Sequence, residues 1–413
     1  MRQRLEEHLR RKEPSYFELL RHMVRINSFT ANREGVNALA ELTAVSFEKL
    51  GFTAESIPPA DPEFGDHLVL TRPGKDPGGP RVALVSHLDT VYSPEEERLH
   101  DFVWREDGDR IYGPGTVDIK GGTVVAYMML DALRAAAPEA FDAVTWVVLL
   151  NSAEERISND FGALCRERLD GGGTLAALVF EGGLTDRESG RIVVARKGMA
   201  TFRVEVRGRA AHAGNGHRQG ANALAQMAEV ILRLHALTDY ERDLTVNVGT
   251  AGGGTVINQV PPSARVEAEL RSFSEEVFAE GMREVLALEG LSTVRSFEGG
   301  YPCTVRVEVT SRTRPWPRNP ASDRLLEIFQ HEGAGLGLRI AEEARGGLSD
   351  ANHLWDLVPT LDGLGPSGAN AHCPEHSADG SKEQEYASRS TFVPKALLSA
   401  LAVLRLIATT ARG

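Results

Sequence analysis

Side chains that could bind metal ions follow several short apolar segments of this chain. The six candidates are His87, Asp118, Glu154, Glu155, Glu181 and His372. The first histidine follows RVALVS, the paired glutamates follow VTWVVLLNSA and the last glutamate follows AALVF, whereas the aspartate and the second histidine lie in glycine-containing segments. Because ligands bind beyond the carboxyl ends of the strands in open α/β sheets, we expect these groups to meet at one sheet edge.

The chemistry of these groups favours a hydrolytic metal site. Histidine nitrogen and carboxylate oxygen without a thiolate suit zinc, cobalt or manganese in a catalytic site rather than a structural zinc site. The carboxylates of Asp118, Glu155 and Glu181, with two neutral histidines, would nearly balance two divalent cations. About one positive charge would remain for a hydroxide or an anionic substrate. The ligand set therefore favours two metal ions.

Apolar segments separated by helical patterns predict the sheet that must position these groups. Arg81–Ser86, Val144–Leu150 and Ala176–Phe180 are short runs rich in valine and leucine, as buried parallel strands are. One intervening helix is expected over Gly121–Ala136, ended by Pro138. The sequence therefore predicts an α/β domain with a doubly wound, mostly parallel sheet.

A second pattern begins near Val193 and predicts an inserted domain. Alternation of apolar and polar residues indicates antiparallel strands, and a helix is expected near Ala221–Leu237. Its sheet-facing positions are expected to be Leu224, Met227, Ile231 and Leu234. The proline-dense Arg312–Asp323 reads as a stiff return linker. We therefore expect a catalytic domain over residues 1–193 and 312–413, interrupted by an α+β domain over 194–311.

Composition narrows the possible partners and compartment. The formal net charge is -12 and no segment is dense in lysine or arginine, which argues against nucleic acid and anionic membrane surfaces. The three cysteines, Cys165, Cys303 and Cys373, are far apart and fit neither a disulfide framework nor a CxxC site. The N-terminus shows no signal-like apolar core, and no apolar run of about 20 residues is apparent. A cytoplasmic enzyme acting on small molecules or peptides is expected.

Six motifs, in this order and spacing, resemble one known family. They are SHLDTV (86–91), GPGTVDIKGG (113–122), AEE (153–155), FEGG (180–183), GRAAHAG (208–214) and GANAHCPEH (368–376). The chain is similar, over nearly its whole length, to the co-catalytic zinc peptidases that include glutamate carboxypeptidase, aminoacylase, acetylornithine deacetylase and succinyl-diaminopimelate desuccinylase. The resemblance implies a zinc-peptidase-like catalytic domain with an inserted lid and dimerisation domain.

The resemblance also implies a metal arrangement. Asp118 would bridge two ions, with His87 and Glu181 completing one site and Glu155 and His372 completing the other. The ions would be zinc, with cobalt or manganese as alternatives.

Two acidic residues beside the ligands receive supporting roles. The resemblance leaves Glu154 free as the general base. Asp89, two residues after His87, would lie on the same side of an extended backbone and orient that imidazole. The same extended geometry would direct Glu154 and Glu155 to opposite sides.

In the inserted domain, three residues match positions of the family's substrate site. The resemblance implies that His212 reaches the partner subunit's site in a homodimer and steadies the developing oxyanion. Asn258 and Arg271 match a clamp for the substrate carboxylate, for which a guanidinium fork is suited.

The implied activity is hydrolysis of an amide bond next to a free carboxylate, in a peptide or an N-acyl amino acid. A deacylase of N-acyl amino acids or acetylornithine remains an alternative, since it would use the same centre. A metal-free binding protein on the same scaffold is the non-enzymatic alternative, although it predicts loss of a ligand or base and all six residues are present. A two-metal phosphoesterase is disfavoured because no phosphate-cradling loop is evident.

Overall fold

The computed structural model describes residues 1–156, 159–170, 172–185 and 189–410. The chain forms two compact units. The first comprises Met1–Val194, Arg318–Ala344 and Ser349–Gly413, and the second comprises Ala195–Pro317 and Arg345–Leu348.

The helices and strands of the described residues are as follows. The α-helices are α1 (Arg2–Val24), α2 (Arg33–Glu48), α3 (Pro94–Leu99), α4 (Lys120–Ala136), α5 (Pro138–Ala143), α6 (Asn159–Leu169), α7 (Ala223–Ala236), α8 (Glu275–Leu286), α9 (Pro320–Gly335) and α10 (Phe392–Thr410). The strands are β1 (Thr53–Ile57), β2 (His67–Arg72), β3 (Arg81–His87), β4 (Arg105–Asp107), β5 (Arg110–Tyr112), β6 (Thr145–Asn151), β7 (Thr174–Val179), β8 (Leu184–Thr185), β9 (Ser189–Arg196), β10 (Gly198–Arg207), β11 (Ala211–His212), β12 (Thr245–Gly253), β13 (Gln259–Val260), β14 (Ser263–Ser272), β15 (Thr304–Thr313), β16 (Arg339–Arg345), β17 (Thr360–Leu361), β18 (Gly368–Ala369) and β19 (Tyr386–Ser388).

A six-stranded sheet organises the first unit. Its strand order is β1-β2-β6-β3-β7-β17. Strand β3 runs parallel to β6 and β7, and β17 runs parallel to β7, whereas β1 and β2 form the antiparallel edge. Consecutive residues of β3 and β6 are buried, so both faces of these central strands are covered. The prediction of an α/β domain with a mostly parallel sheet is confirmed.

Helices α1, α4 and α10 pack together within the first unit. The stretch Arg389–Thr409, which contains most of α10, is long and apolar enough to span a membrane by length and composition alone. The expectation that no such run exists was therefore wrong. This helix is apolar because it is a core helix: 61% of its most apolar part is buried inside the protein, and alanine, leucine and valine side chains on several of its faces pack in the core.

An antiparallel sheet, as predicted, organises the second unit. Its strand order is β12-β14-β10-β15, and successive residues of β14 alternate between exposed and buried. Helices α7 and α8 contact this sheet. The predicted face of α7 is shifted, because Leu224 is exposed whereas Val230 is fully buried beside Met227 and Leu234.

The return to the first unit comes later than the sequence suggested. Strand β15 continues through Thr313, and Trp316 then pairs with Arg196 through two backbone hydrogen bonds. These contacts keep the proline-rich stretch in the second unit up to Pro317, so the unit boundary lies beyond the expected position 312. The short segment Arg345–Leu348 also belongs to the second unit.

Candidate metal centre

Three neighbouring parallel strands deliver candidate ligands to one edge of the six-stranded sheet. His87 is the last residue of β3. Glu154 and Glu155 lie in a short 3-10 helix that follows β6, and Glu181 comes two residues after β7. Since β6, β3 and β7 are adjacent and parallel, their carboxyl ends place these side chains at a common edge, as the sequence predicts.

Asp118 reaches the same edge from the loop before α4. The first turn of α4, directly after this loop, requires glycine at its closest approach to the sheet, because a Cβ on Gly122 would collide with the carbonyl oxygen of Phe180, the residue after β7. The loop backbone is held by Glu385, which is fully buried: one carboxylate oxygen accepts the N–H groups of Val117 and Asp118 at 2.8 and 3.1 Å. Its other oxygen accepts the hydroxyl of Tyr92 at 2.7 Å.

His372 approaches from a loop that follows β18. Its backbone φ is +67°, in the left-handed region that non-glycine residues rarely adopt. The side chain is 54% exposed, so it forms the open side of the cluster, in contrast to His87, which is 2% exposed.

The structure brings four candidate ligands together around a fifth, Asp118. One carboxylate oxygen of Asp118 lies 3.1 Å from Nε2 of His87, and the other lies 3.4 Å from Nε2 of His372. His87 is also 3.7 Å from Glu181, and His372 is 3.3 Å from Glu155. In each of two triads, His87–Asp118–Glu181 and Asp118–Glu155–His372, the potential donor atoms lie within 4.8 Å of one another. Asp118 belongs to both.

These residues fit divalent cations. The donors are imidazole nitrogens and carboxylate oxygens, which zinc accepts in catalytic sites. One potential ligand atom, Oε1 of Glu155, is buried and has no hydrogen-bond partner among the described residues, so it is available to a cation. A third group of donor atoms, His87–Glu154–Glu155, overlaps the two triads, so Glu154 lies directly beside them.

Asp89 is buried and connects the candidate ligand His87 to the glutamate pair. Nδ1 of His87 lies 3.0 Å from the Asp89 carbonyl oxygen and 3.3 Å from its carboxylate, so Nδ1 carries the proton and Nε2 faces the cluster. The two carboxylate oxygens of Asp89 accept the N–H groups of Glu154 and Glu155 at 3.1 and 3.2 Å. The expected extended backbone at this pair was wrong: the amides turn toward Asp89 in a 3-10 helix. At three residues per turn, neighbouring side chains still point in different directions.

Burial and the close approach of acids and imidazoles shift the pKa values of the site residues. Burial opposes the charge on His87, but hydrogen bonds to Asp118 and Asp89 outweigh it and hold the pKa of His87 well above its usual range. Burial would likewise raise the pKa of Asp118, yet its hydrogen bonds to His372 and His87 keep it low. Burial raises the pKa of Glu154 well above its usual range, and the neighbouring carboxylates of the site act in the same direction.

The remaining predicted site residues lie in the second unit. His212 is exposed, and its Nδ1 accepts the N–H groups of Gly214 and Asn215 at 3.0 and 3.1 Å, so Nε2 is the free ring nitrogen. Asn258 is exposed on the adjoining segment, where its carbonyl oxygen accepts the N–H of Ala213 at 2.9 Å.

Arg271 is already paired with an acid of its own strand. Its Nε and Nη2 donate to the two carboxylate oxygens of Glu269 at 2.9 and 3.0 Å, and Nη1 donates to the Gly346 carbonyl oxygen at 3.1 Å. One edge of the guanidinium fork is therefore filled by Glu269.

Comparison with known proteins decides the family. The model of Peptidase family M20/M25/M40 matches residues 83–398. The chain belongs to this family. Within it, the chain is 28% identical over 364 residues to carboxypeptidase G2 of Pseudomonas sp. (strain RS-16), covering 87% of this chain and 84% of that relative. It is 25% identical over 385 residues to acetylornithine deacetylase of Pectobacterium atrosepticum, covering 89% and 93%.

Solved structures show the same fold. Aminopeptidase PepT from Bacillus cereus superposes with a TM-score of 0.73 at 21% identity, covering 96% of this chain and 99% of that one. The resemblance to co-catalytic peptidases is thus confirmed at the level of family and fold. The M20/M25/M40 family consists of metal-dependent hydrolases, and the cluster of His87, Asp118 and Glu181 is a possible metal site in this member. The individual roles of the site residues stay predictions.

Sequence reasoning missed the residues that hold the site in place. Glu385, Asn151 and Asp350 are each at most 2% exposed. Glu385 and Asn151 accept backbone N–H groups of the site's loops, and Asp350 accepts the side-chain N–H of Asn151. Glu385 lies outside the six motifs, and a glutamate offers no sequence signal that it is buried. Asn151 directly follows a predicted strand at the ligand-binding edge, and this position was the available clue.

Metal binding should release protons from the metal-free enzyme. Hydrogen bonds to Asp118 and Glu155 raise the pKa of His372 to about 11, so the imidazole is protonated at neutral pH without metal. Because a metal ion binds neutral imidazole, affinity should rise with pH up to about that pKa. Titration calorimetry at pH 7 in buffers of different ionisation enthalpy should show net proton release, and His372→Ala should release about one proton fewer. Equal heats in all buffers would contradict this.

Replacing Glu385 should weaken metal binding without touching a ligand. Glu385→Gln exchanges one acceptor oxygen for an NH2 group, so either the loop N–H groups or the Tyr92 hydroxyl loses its acceptor. The metal dissociation constant should rise about 10-fold, the scale of lost supporting contacts. Glu383→Gln, two residues earlier and partly exposed, is the matched control and should bind metal normally. Unchanged affinity in folded Glu385→Gln would argue against this role.

Proposed function

We propose that this protein is a dinuclear, zinc-type amidohydrolase that cleaves an amide bond next to a free carboxylate, in a peptide or an N-acyl amino acid. The observation that carries this proposal is Asp118, whose two oxygens face two different histidines while Glu154 lies beside the same cluster. The two triads have the ligand types of a two-ion centre that shares one carboxylate. Zinc suits these donors, with cobalt or manganese as alternatives.

The relatives support hydrolysis of amides and leave two candidate substrate classes. Similarity to carboxypeptidase G2 favours cleavage beside a free terminal carboxylate. Similarity to acetylornithine deacetylase over most of both chains favours the alternative, removal of an acyl group from an N-acyl amino acid. Both reactions present the site with an amide carbonyl and a nearby carboxylate, so one centre serves either.

The residues of this chain divide the chemical work. Bound cations would lower the pKa of a coordinated water and polarise the scissile carbonyl. Glu154 accepts the proton of the attacking water at its carboxylate and later donates it to the leaving amine. Asp89 keeps Glu154 in place through the backbone N–H and keeps Nε2 of His87 facing the other residues that would hold the ions.

A homodimer completes the proposed site. Nδ1 of His212 accepts the N–H groups of Gly214 and Asn215, so the neutral form of the ring carries its proton on Nε2 and can donate a hydrogen bond outward. We assign this proton to the oxyanion formed in the partner subunit's site. Asn258 and Arg271 would bind the substrate carboxylate, the latter through the guanidinium edge that Glu269 leaves open. The three free cysteines suit a reducing cytoplasm.

An activity screen tests the proposal. The metal-loaded enzyme should hydrolyse members of a panel of dipeptides and N-acetyl and N-formyl amino acids, and product analysis separates peptidase from deacylase. Amide or ester derivatives that lack the free carboxylate are the matched controls and should be poor substrates. Chelation should abolish hydrolysis, with recovery on addition of zinc, cobalt or manganese. Full activity of rigorously metal-free protein would refute the proposal.

Substitutions of the adjacent residues Glu154 and Glu155 should impair different properties of the enzyme. Glu154→Gln keeps the shape but removes the proton acceptor, so metal should be retained while kcat falls at least about 100-fold. Glu155→Gln removes a ligating charge, so metal affinity should fall at least about 10-fold, with activity partly recovered at high metal concentration. Metal titration beside steady-state kinetics decides, and the reverse pattern would mean that base and ligand are exchanged.

The role of His212 across a dimer can be tested by mixing variants. His212→Ala and Glu154→Gln chains should each be nearly inactive. When subunits exchange, one site of the hybrid dimer regains both groups, so part of the activity should return. His217→Ala, another exposed histidine of the second unit, is the control and should keep its activity. Absence of recovery despite verified subunit exchange would count against action in trans.

A further inference from the structure

The turn that carries the glutamate pair is fixed by side-chain acceptors along its whole length. Four successive backbone N–H groups, those of residues 152 to 155, each donate to a buried side chain. The acceptors are His67 Nδ1 (3.1 Å from Ser152 N), Asn151 Oδ1 (3.0 Å from Ala153 N), Asp89 Oδ1 (3.1 Å from Glu154 N) and Asp89 Oδ2 (3.2 Å from Glu155 N). We call His67, Asn151 and Asp89 the cradle of the turn.

Within the cradle, Asn151 is supported by a residue far along the chain. Its Nδ2 donates to Oδ1 of Asp350 at 2.8 Å, while its Oδ1 accepts the N–H of Ala153. Both ends of the amide are therefore fixed, which sets its orientation as well as its place. Asn151 also aligns with His87 in the ladder between β6 and β3, and its carbonyl oxygen accepts the N–H of Leu88 at 2.7 Å.

Asp350, which accepts the hydrogen bond from Asn151, is a buried acid with an unsatisfied oxygen. It is 2% exposed, and its Oδ2 has no hydrogen-bond partner among the residues that the structure describes. Burial of a carboxylate with an unsatisfied oxygen opposes folding, so such a group calls for an explanation beyond stability. Ser349 caps the short 3-10 helix Asp350–His353 and donates its hydroxyl to Asp362 at 2.7 Å, which keeps Asp350 in position.

We propose that Asp350 is a positioning residue for the hydrolytic reaction: it orients Asn151, which holds the turn that presents Glu154 and Glu155. Because local rules of burial are broken mainly where function requires it, the poorly satisfied acid belongs to the site's support. This inference rests on the proposed roles of the two glutamates as base and ligand. Its mechanism is a hydrogen bond, and the negative charge of Asp350 is secondary.

Exchange of the two partners tests the hydrogen bond. D350A removes the acceptor, and N151D places two carboxylates face to face, so each should lower kcat at saturating metal about 10-fold or more, with KM changed less than about twofold. D350N keeps an acceptor oxygen and should retain most of the activity. In the double variant N151D/D350N the donor and acceptor are exchanged, while the carboxylate introduced by N151D can still accept the N–H of Ala153. The kcat of this variant should therefore recover to within about threefold of wild type.

Metal affinity provides a readout that does not depend on the substrate. Glu155 lies in the same turn, so the metal dissociation constant should rise about 10-fold in D350A and N151D and return in the double variant. If the wild-type protein binds no metal, the proposed function fails. If the wild type binds metal and D350A binds it equally well with unchanged kcat, the inference about Asp350 alone is overturned.

A control separates positioning from loss of stability. Asp131 accepts hydrogen bonds from His8 at 2.8 Å and from Tyr16 at 2.6 Å, away from the turn. Asp131→Ala should lower the unfolding temperature while kcat stays at the wild-type value. If D350A does not fold, comparison of N151D with the double variant decides. The inference is overturned if the double variant is no more active than N151D, if D350N is as inactive as D350A, or if Asp131→Ala loses kcat equally.

Discussion

The candidate metal centre of the first unit is arranged around one carboxylate held between two imidazoles. Asp118 lies 3.1 Å from His87 through one oxygen and 3.4 Å from His372 through the other. Three more acids, Glu154, Glu155 and Glu181, each have a potential metal-binding oxygen within 4.8 Å of one of these histidines. Like charges at such spacing repel strongly where water is scarce, so the fold must force these acids together and positive charge must offset them.

The fold meets this demand by binding the acids through their backbones. Two acids that are not proposed as ligands, Asp89 and Glu385, use their oxygens to accept N–H groups of the very segments that carry Glu154, Glu155 and Asp118. Because other groups anchor its turn, Oε1 of Glu155 has no hydrogen-bond partner among the described residues. The parallel strands set the coarse position of the ligands, and these buried acceptors set the fine position.

Sequence reasoning reached the parts of this site that depend on local pattern. Apolar runs predicted β3, β6 and β7, and the residues that follow these runs predicted the sheet edge at which the candidate ligands meet. What it missed depends on tertiary contacts: Asn151 and Asp350 are 199 residues apart, and no local pattern joins them. The face of α7 was shifted because Leu224, although apolar, is exposed in the fold. The pairing of Arg271 with Glu269 had a usable signal, since residues two apart on a strand share a face.

Metal analysis of the wild-type protein beside Asp118→Asn tests the shared carboxylate most directly. If Asp118 holds two ions, wild-type protein loaded with zinc and freed of excess should contain two ions per chain, and Asp118→Asn should contain at most one. Asp131→Asn, in which a partly buried acid of α4 loses its charge, is the matched control and should retain two. One ion per wild-type chain at saturation, or two ions held with unchanged affinity in folded Asp118→Asn, would contradict the account.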